Sequence, residues 1–211
     1  MLQIKKFTFN PVQENTFVVY DETRTCVIID AGCYYERERQ KLDQFITENQ
    51  LKPVRLINTH CHFDHIMGIT HCRTKYNLQF EAHAGEAILV EHAVDSGDRF
   101  GIPMEPVDAP DSFFKESDRL TFGNSYLEVI EAPGHSPGGV VFYNPEAKIL
   151  IAGDVLFYGS IGRTDLPGGS YELLVENIKT KLLTLPEETI VYCGHGPETT
   201  IGFEKKNNPF L

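Results

Sequence analysis

The sequence predicts a layered α/β sandwich, and three observations predict it. Short runs rich in β-branched and aromatic residues recur along the chain, amphipathic helical segments lie among them, and no internal repeat, low-complexity tract or Pro/Ser-rich linker divides the 211 residues. At this length about 70% of the unfolded surface is buried in a single core without disulfide or metal staples. Residues 1–211 are therefore expected to form one domain.

Taken in order, strand-like runs at 3–9, 16–20, 26–30 and 54–58 make the N-terminal third read as a meander. Residues 36–49 place Leu42, Phe45 and Ile46 at helical spacing among charges, which predicts a surface helix, and Pro53 restarts the strand. Residues 66–76 and 84–93 suit helices. The longest irregular stretch, 96–112, carries Gly97, Gly101, Pro103, Pro106 and Pro110 and reads as a surface loop. Further strands are predicted at 127–130, 140–143, 149–152 and 190–193. A helix over 171–183 sets Leu174, Val175, Ile178 and Leu182 on one face.

Composition excludes several classes. A net charge of −11 repels a polyanion, so DNA and RNA are poor partners. No apolar run approaches the roughly 20 residues that span a bilayer. The first nine residues alternate apolar and polar side chains like a strand and lack the apolar core of a secretory signal, which predicts a cytoplasmic protein. Five cysteines (Cys26, Cys33, Cys61, Cys72, Cys193) are an odd set at irregular spacing, so they are expected to be reduced, and with no Cys-x-x-Cys pair a thiolate zinc knuckle is excluded.

Four apolar runs each finish beside an ionisable group: those leading to His60, His135, Asp154 and His195. One such ending normally caps a turn. Four together, if the strands share an orientation, converge on one rim, where open α/β sheets bind ligands. Glycine before three of them permits tight turns.

The first ending carries the most chemistry. Thr59-His60-Cys61-His62-Phe63-Asp64-His65 crowds three imidazoles and a carboxylate, lone-pair donors suited to Zn(II) and similar ions, and a bound cation accounts for the crowding. His60 and His62, two apart on an extended segment, can point to one side, while Asp64 and His65 begin the next helix and turn toward a neighbouring position. Two adjacent metal sites follow. Against this, Asp64 alone is a good helix N-cap. Cys61 is directed the opposite way, into packing. Asp30 either orients a ligand histidine or makes a turn. His71, His83 and His92 lie outside the constellation and are expected on the surface or in packing.

His60-x-His62-x-Asp64-His65, followed by His135, Asp154 and His195, resembles the metallo-beta-lactamase superfamily along essentially the whole chain. Ala152-Gly153-Asp154-Val155-Leu156-Phe157, Gly162-Arg163-Thr164-Asp165-Leu166-Pro167 and Gly194-His195-Gly196-Pro197-Glu198-Thr199-Thr200 are similar to the short glyoxalase II (hydroxyacylglutathione hydrolase) branch. The resemblance implies an αββα four-layer sandwich. It implies that His60, His62 and His135 hold one divalent ion, that Asp64, His65 and His195 hold a second, and that Asp154 bridges them. Zn(II) is the expected metal, with Fe or Mn as the other fitting ions. It further implies a thioester hydrolase whose small-molecule substrate is S-lactoylglutathione or a related hydroxyacyl thioester.

Lewis-acid cations lower the pKa of bound water toward about 7, so a metal-bridging hydroxide is the expected nucleophile, with Asp64 and Asp154 as the catalytic carboxylates. A departing thiolate, with a parent pKa near 8.5, needs little protonation, which favours thioesters over amides. Arg163 matches a lysine of the long glyoxalase II proteins and is expected to hold an anionic substrate tail. The short stretch after His195 leaves no room for the helical extension by which those proteins grip glutathione. Persulfide dioxygenases share the motifs and use one iron on residues matching His60, His135 and Asp154, so an iron oxidoreductase is the alternative. A non-enzymatic metal module is a third reading, disfavoured because seven ligands without thiolate suit an open, water-bearing site. The sequence sets no oligomeric state.

Overall fold

The computed structural model describes residues 2–211. Its first half builds one six-stranded sheet. Strand β1 (Gln3–Phe9) alternates, burying Phe7 and Phe9 on one face. Strands β2 (Glu14–Tyr20) and β3 (Thr25–Ile29) are apolar on both faces: Val18, Cys26 and Ile28 point to one side, and Phe17, Val19, Val27 and Ile29 to the other. Helix α1 (Glu36–Glu48) follows, then β4 (Lys52–Ile57). Short helices α2 (Phe63–Ile66) and α3 (Ile69–Tyr76) lead to β5 (Phe80–His83). A 3₁₀ turn at Ala84–Glu86, then α4 (Ala87–Glu91) and α5 (Ala93–Arg99), precede β6 (Ser112–Phe114). The strand order is sequential; β1 to β3 are antiparallel, as a meander requires, but β4, expected as its fourth strand, is parallel to β3 because α1 carries the chain back across the sheet, and β4 to β6 continue parallel.

The second half builds the other sheet from β7 (Arg119–Phe122), β8 (Ser125–Glu131), β9 (Val140–Asn144) and β10 (Ile149–Gly153). A hairpin of β11 (Leu156–Phe157) and β12 (Ser160–Ile161) stands apart. Helix α6 (Tyr171–Asn177), a π turn at Ile178–Leu182, β13 (Ile190–Cys193), β14 (Thr199–Thr200) and α7 (Ile201–Asn207) complete the chain. The sheet order is β14-β13-β10-β9-β8-β7.

Three apolar clusters separate four layers. Phe17, Ile29, Ile57, Phe142 and Ile151 fill the space between the sheets. Leu42, Ile46, Ile69 and Cys72 press α1 and α3 on the outside of the first sheet, and Leu174, Ile178 and Ile201 press α6 and α7 on the second. This is the αββα sandwich. Strands β10 and β13 are parallel, and β8 is antiparallel to β9, which is antiparallel to β10. The carboxyl ends of β8, β10 and β13 therefore share one rim, meeting the condition set by the sequence reading.

The structure corrects several element boundaries. The helix expected over 66–76 starts earlier and breaks at Met67-Gly68, because the Gly68 N–H leaves the helical ladder to donate to Ala31 O at 2.7 Å. The helix expected over 84–93 is three short pieces. Residues 96–99 belong to α5 rather than to the loop: Gly97 O accepts from Phe100 and Ile102 and closes that helix, leaving 100–111 irregular. The helix over 171–183 ends in a π turn. Among the described residues no helix is long and apolar enough to cross a membrane.

Phe142 is fully buried between the sheets with Phe114 edge-on at 5.6 Å. Phe142→Ala should cost about 3–5 kcal/mol of unfolding free energy in chemical denaturation; a loss near zero would mean that this interlayer does not hold the sandwich together.

Candidate metal centre

After β4 the chain runs extended through residues 58–62. Asn58 ties it down, its amide donating to the carbonyls of His60 (3.0 Å) and His65 (2.9 Å). His60 and His62 project together, with rings 4.9 Å apart, while Cys61 is buried in the outer cluster as expected. The N-cap of α2 is His62, so Asp64 lies inside the first turn and is not the cap.

The other three groups arrive from the second sheet. Gly134 (φ 134°) and Gly153 (φ 48°) adopt conformations that L side chains avoid, and a Cβ on Gly153 would stand 2.2 Å from Thr59 Oγ1. The strand ends can thus approach residues 58–65 closely.

Two clusters of donor atoms result. His62 Nδ1 lies 2.9 Å from His135 Nε2, which lies 3.3 Å from His60 Nε2. His195 Nε2 lies 3.2 Å from Asp64 Oδ2, which lies 3.7 Å from His65 Nε2. Asp154 stands between them: Oδ2 is 3.5 Å from His135, 3.6 Å from His195 and 4.0 Å from His60, and Oδ1 is 3.5 Å from His65. All seven sequence-predicted residues meet. Within each triad, one donor atom per residue lies within 4.8 Å of the others. Asp30, His60 and His65 also meet that limit, but Asp30 already accepts from Thr59 N (2.7 Å) and Thr59 Oγ1 (2.6 Å).

The outward nitrogens are held as well. His135 Nδ1 is 2.8 Å from Arg163 O and His195 Nδ1 is 3.2 Å from Gln13 O; a donating Nδ1–H there leaves the Nε2 lone pair facing inward. His60 Nδ1 meets Thr59 Oγ1 at 3.1 Å. His65 Nδ1 lies 3.2 Å from Asp30 Oδ2 and 4.0 Å from Glu14 Oε1, both carboxylates fully buried. Asp30 thus orients a ligand-type histidine while holding a left-handed backbone (φ 52°), uniting the two roles the sequence left open.

Burial, with like charge from neighbouring imidazoles, pushes His60 well below the usual histidine value, His62 down to about 3, and His135 down. These three offer neutral lone pairs. Burial also opposes charge on His65 and His195, but the Asp154 and Asp64 carboxylates beside them prevail and raise both. Against burial, His65 holds Asp64 and Asp154 below the usual carboxylate range. His65 Nε2 and Asp154 Oδ1 are buried without a hydrogen-bond partner among the described residues. Inward lone pairs, ionised carboxylates and orphaned donor atoms together fit divalent cations.

A cavity of about 920 Å³ opens onto the centre. Its far wall is α4 and α5, with Ile88, Leu89, His92, Arg99 and Phe100; its near wall includes Phe157, Leu166 and Pro167. Sequence reasoning missed this wall and left out His92, which lines it. It also missed Glu14 and Glu86, two buried carboxylates whose only signal was a glutamate opening an apolar strand and another following Gly85. His71 pairs with Asp43 at 3.0 Å and His83 with Glu131 at 3.3 Å, both away from the centre.

An αββα sandwich with a His/Asp metal site at its rim defines a protein of the metallo-hydrolase class. The chain belongs to the metallo-beta-lactamase superfamily, whose sequence profile matches residues 9–195. It is 39% identical over 208 residues to the probable metallo-hydrolase YqgX of Bacillus subtilis, covering 98% of this chain and 96% of that one. It is 37% identical over 201 residues to the hydroxyacylglutathione hydrolase GloC of Haemophilus influenzae, covering 94% and 93%. Among solved structures it is similar to the BLEG-1 B3 metallo-beta-lactamase (TM-score 0.91, 38% identity, 99% of each chain). It is also similar to TTHA1623 in a di-iron-bound form (TM-score 0.89, 38% identity, 98% of this chain and 100% of that one).

Removing the brace behind the histidines should weaken metal binding without abolishing the fold. Asp30→Ala is expected to lower affinity about 10–100-fold, read by competition with a chromophoric chelator; wild-type affinity would show that Asp30 serves the turn alone.

Proposed function

We propose that the chain is a binuclear metal-dependent thioester hydrolase of glyoxalase II type, acting on S-lactoylglutathione or a related hydroxyacyl thioester. The observation that carries this reading is the position of Asp154, whose carboxylate lies within 4.0 Å of histidines from both donor triads. In this reading His60, His62 and His135 hold one ion, Asp64, His65 and His195 hold the other, and Asp154 joins them. Zn(II) suits this nitrogen and oxygen set, as do iron and manganese. When bound, two such cations supply hydroxide near neutral pH and stabilise negative charge on a carbonyl oxygen.

The chain's own residues do the rest. Asp64 is held ionised, so its carboxylate is available as a ligand and as a hydrogen-bond acceptor beside the reacting centre. The apolar walls around Phe100, Phe157 and Leu166 exclude water from a bound acyl group. A thiolate leaves without an acid to protonate it, so the reading needs no further general acid.

Cations at the cavity suit an anionic tail on the substrate. Arg163 is forked onto Asp165 at 2.7 and 2.8 Å, which neutralises part of its charge. Arg99 on the opposite wall is exposed and has no ion-pair partner among the described residues. Both are therefore assigned to the tail. Five free, buried cysteines suit a reducing cytoplasm, and the acidic surface favours a small-molecule partner over nucleic acid.

The test is a hydrolysis screen on metal-quantified protein, with S-lactoylglutathione first, a β-lactam and glutathione persulfide beside it, and His60→Ala as control. Thioester turnover lost in the control and on metal removal supports the reading. Oxygen uptake on the persulfide with one iron per chain would replace it by the dioxygenase, and lactam cleavage alone by a lactamase. Within the reading, Arg99→Ala should raise KM for an anionic thioester about tenfold at unchanged kcat, and Arg163→Ala by less. Unchanged KM in both variants would remove the arginines from substrate binding.

A further inference from the structure

The three imidazoles of the first triad come from segments far apart in sequence, and one buried side chain touches the backbone of both. Glu86 is fully buried at the junction of the 3₁₀ turn and α4. Its Oε2 accepts the Cys61 N–H at 2.6 Å, between His60 and His62. Its Oε1 accepts the Gly138 N–H at 2.6 Å, in the turn that leads from His135 into β9. Each oxygen serves one segment, across sequence separations of 25 and 52 residues.

The packing around this bridge leaves no slack. Gly85 and Gly138 meet backbone to backbone, so that a Cβ on Gly85 would stand 3.0 Å from Gly138 Cα. Both carboxylate oxygens are occupied by backbone donors, so Glu86 is no ligand itself. Its hydrogen bonds reach neither Asp64, His65 nor His195. That triad is supported elsewhere, by Asp30 and Glu14 behind His65 and by the Gln13 carbonyl behind His195. Asp30 by contrast reaches both triads, His65 directly and His60 through Thr59.

We propose that Glu86 is a positioning residue for the His60, His62 and His135 half of the centre alone, a carboxylate bridge that fixes the spacing of those imidazoles before a cation enters. The proposal rests on the two-site reading given above. It follows that the two halves of the centre can be weakened independently, and that Glu86 governs one of them.

Glutamine is the discriminating replacement. It keeps the shape, but its amide has one acceptor oxygen, so one of the two backbone N–H groups must face an NH₂ donor. Aspartate keeps both acceptors on a shorter stem. The experiment titrates cobalt(II) into metal-free wild type, Glu86→Gln, Glu86→Asp and Asp30→Ala, following visible absorption and chelator competition, with circular dichroism to confirm folding.

Wild type should take two cobalt ions. Glu86→Gln should keep one affinity and lose the other about 10–100-fold, so that the two binding steps separate. Glu86→Asp should recover part of that loss, and Asp30→Ala should weaken both steps. The proposal is overturned if Glu86→Gln binds both ions as wild type does, if it weakens both equally, or if Glu86→Asp is no better than Glu86→Gln. Should Glu86→Gln not fold, the aspartate variant decides: equal weakening of both steps, or none, overturns it. A wild type that takes fewer than two ions instead fails the two-site reading itself.

Discussion

At the rim between the two sheets, seven ligand-type side chains crowd one small volume. His62 and His135 bring nitrogens to 2.9 Å, and His195 and Asp64 meet at 3.2 Å, at the floor of the cavity. His135 Nε2 faces nitrogens of both His62 and His60, and the ionised carboxylates of Asp64 and Asp154 add further lone pairs to the same space. The remaining architecture is arranged around that tension. Strands from both sheets end there, buried carboxylates stand behind the rings, and two glycines take backbone angles that glycine adopts readily, so that the second sheet can come close. Polar atoms left unmatched inside a protein cost free energy that is recovered when the right partner binds.

Much of this was legible in the amino-acid order. Residues 60–65 could be read because four ligand-type groups crowd a few positions, and β1 because Phe7, Thr8 and Phe9 alternate at the end of a short apolar–polar run. His135, Asp154 and His195 each follow a largely apolar strand, and the shared direction of those strands makes their ends converge. What escaped depends on tertiary context. Strands β5, β6, β7, β11, β12 and β14 are two to four residues long and exist through their pairing, with too little sequence for a period to show. Helix α7 was also passed over, its seven residues giving too few turns for an apolar stripe.

The supporting groups escaped for a different reason. Glu14 and Glu86 carry their meaning in contacts to segments far away in the chain, and nothing local separates them from surface glutamates. Arg163 stood out because of its neighbours in the motif, yet its guanidinium pairs with Asp165, two residues on, while its carbonyl holds His135. Arg99 had no motif around it and sits on the cavity wall without a counter-ion among the described residues. Pattern reading finds residues whose role is written nearby, and it passes over those whose role is made by folding.

The division of the sandwich along the chain has a consequence for how the protein is born. Residues 60–65 leave the ribosome long before His135, Asp154 and His195, and each half holds only part of the donor set. A nascent chain therefore offers any passing ion a loose, incomplete grip. The full donor set waits for His195, just after β13, so selection among metals falls to the folded protein and not to the polypeptide still being made.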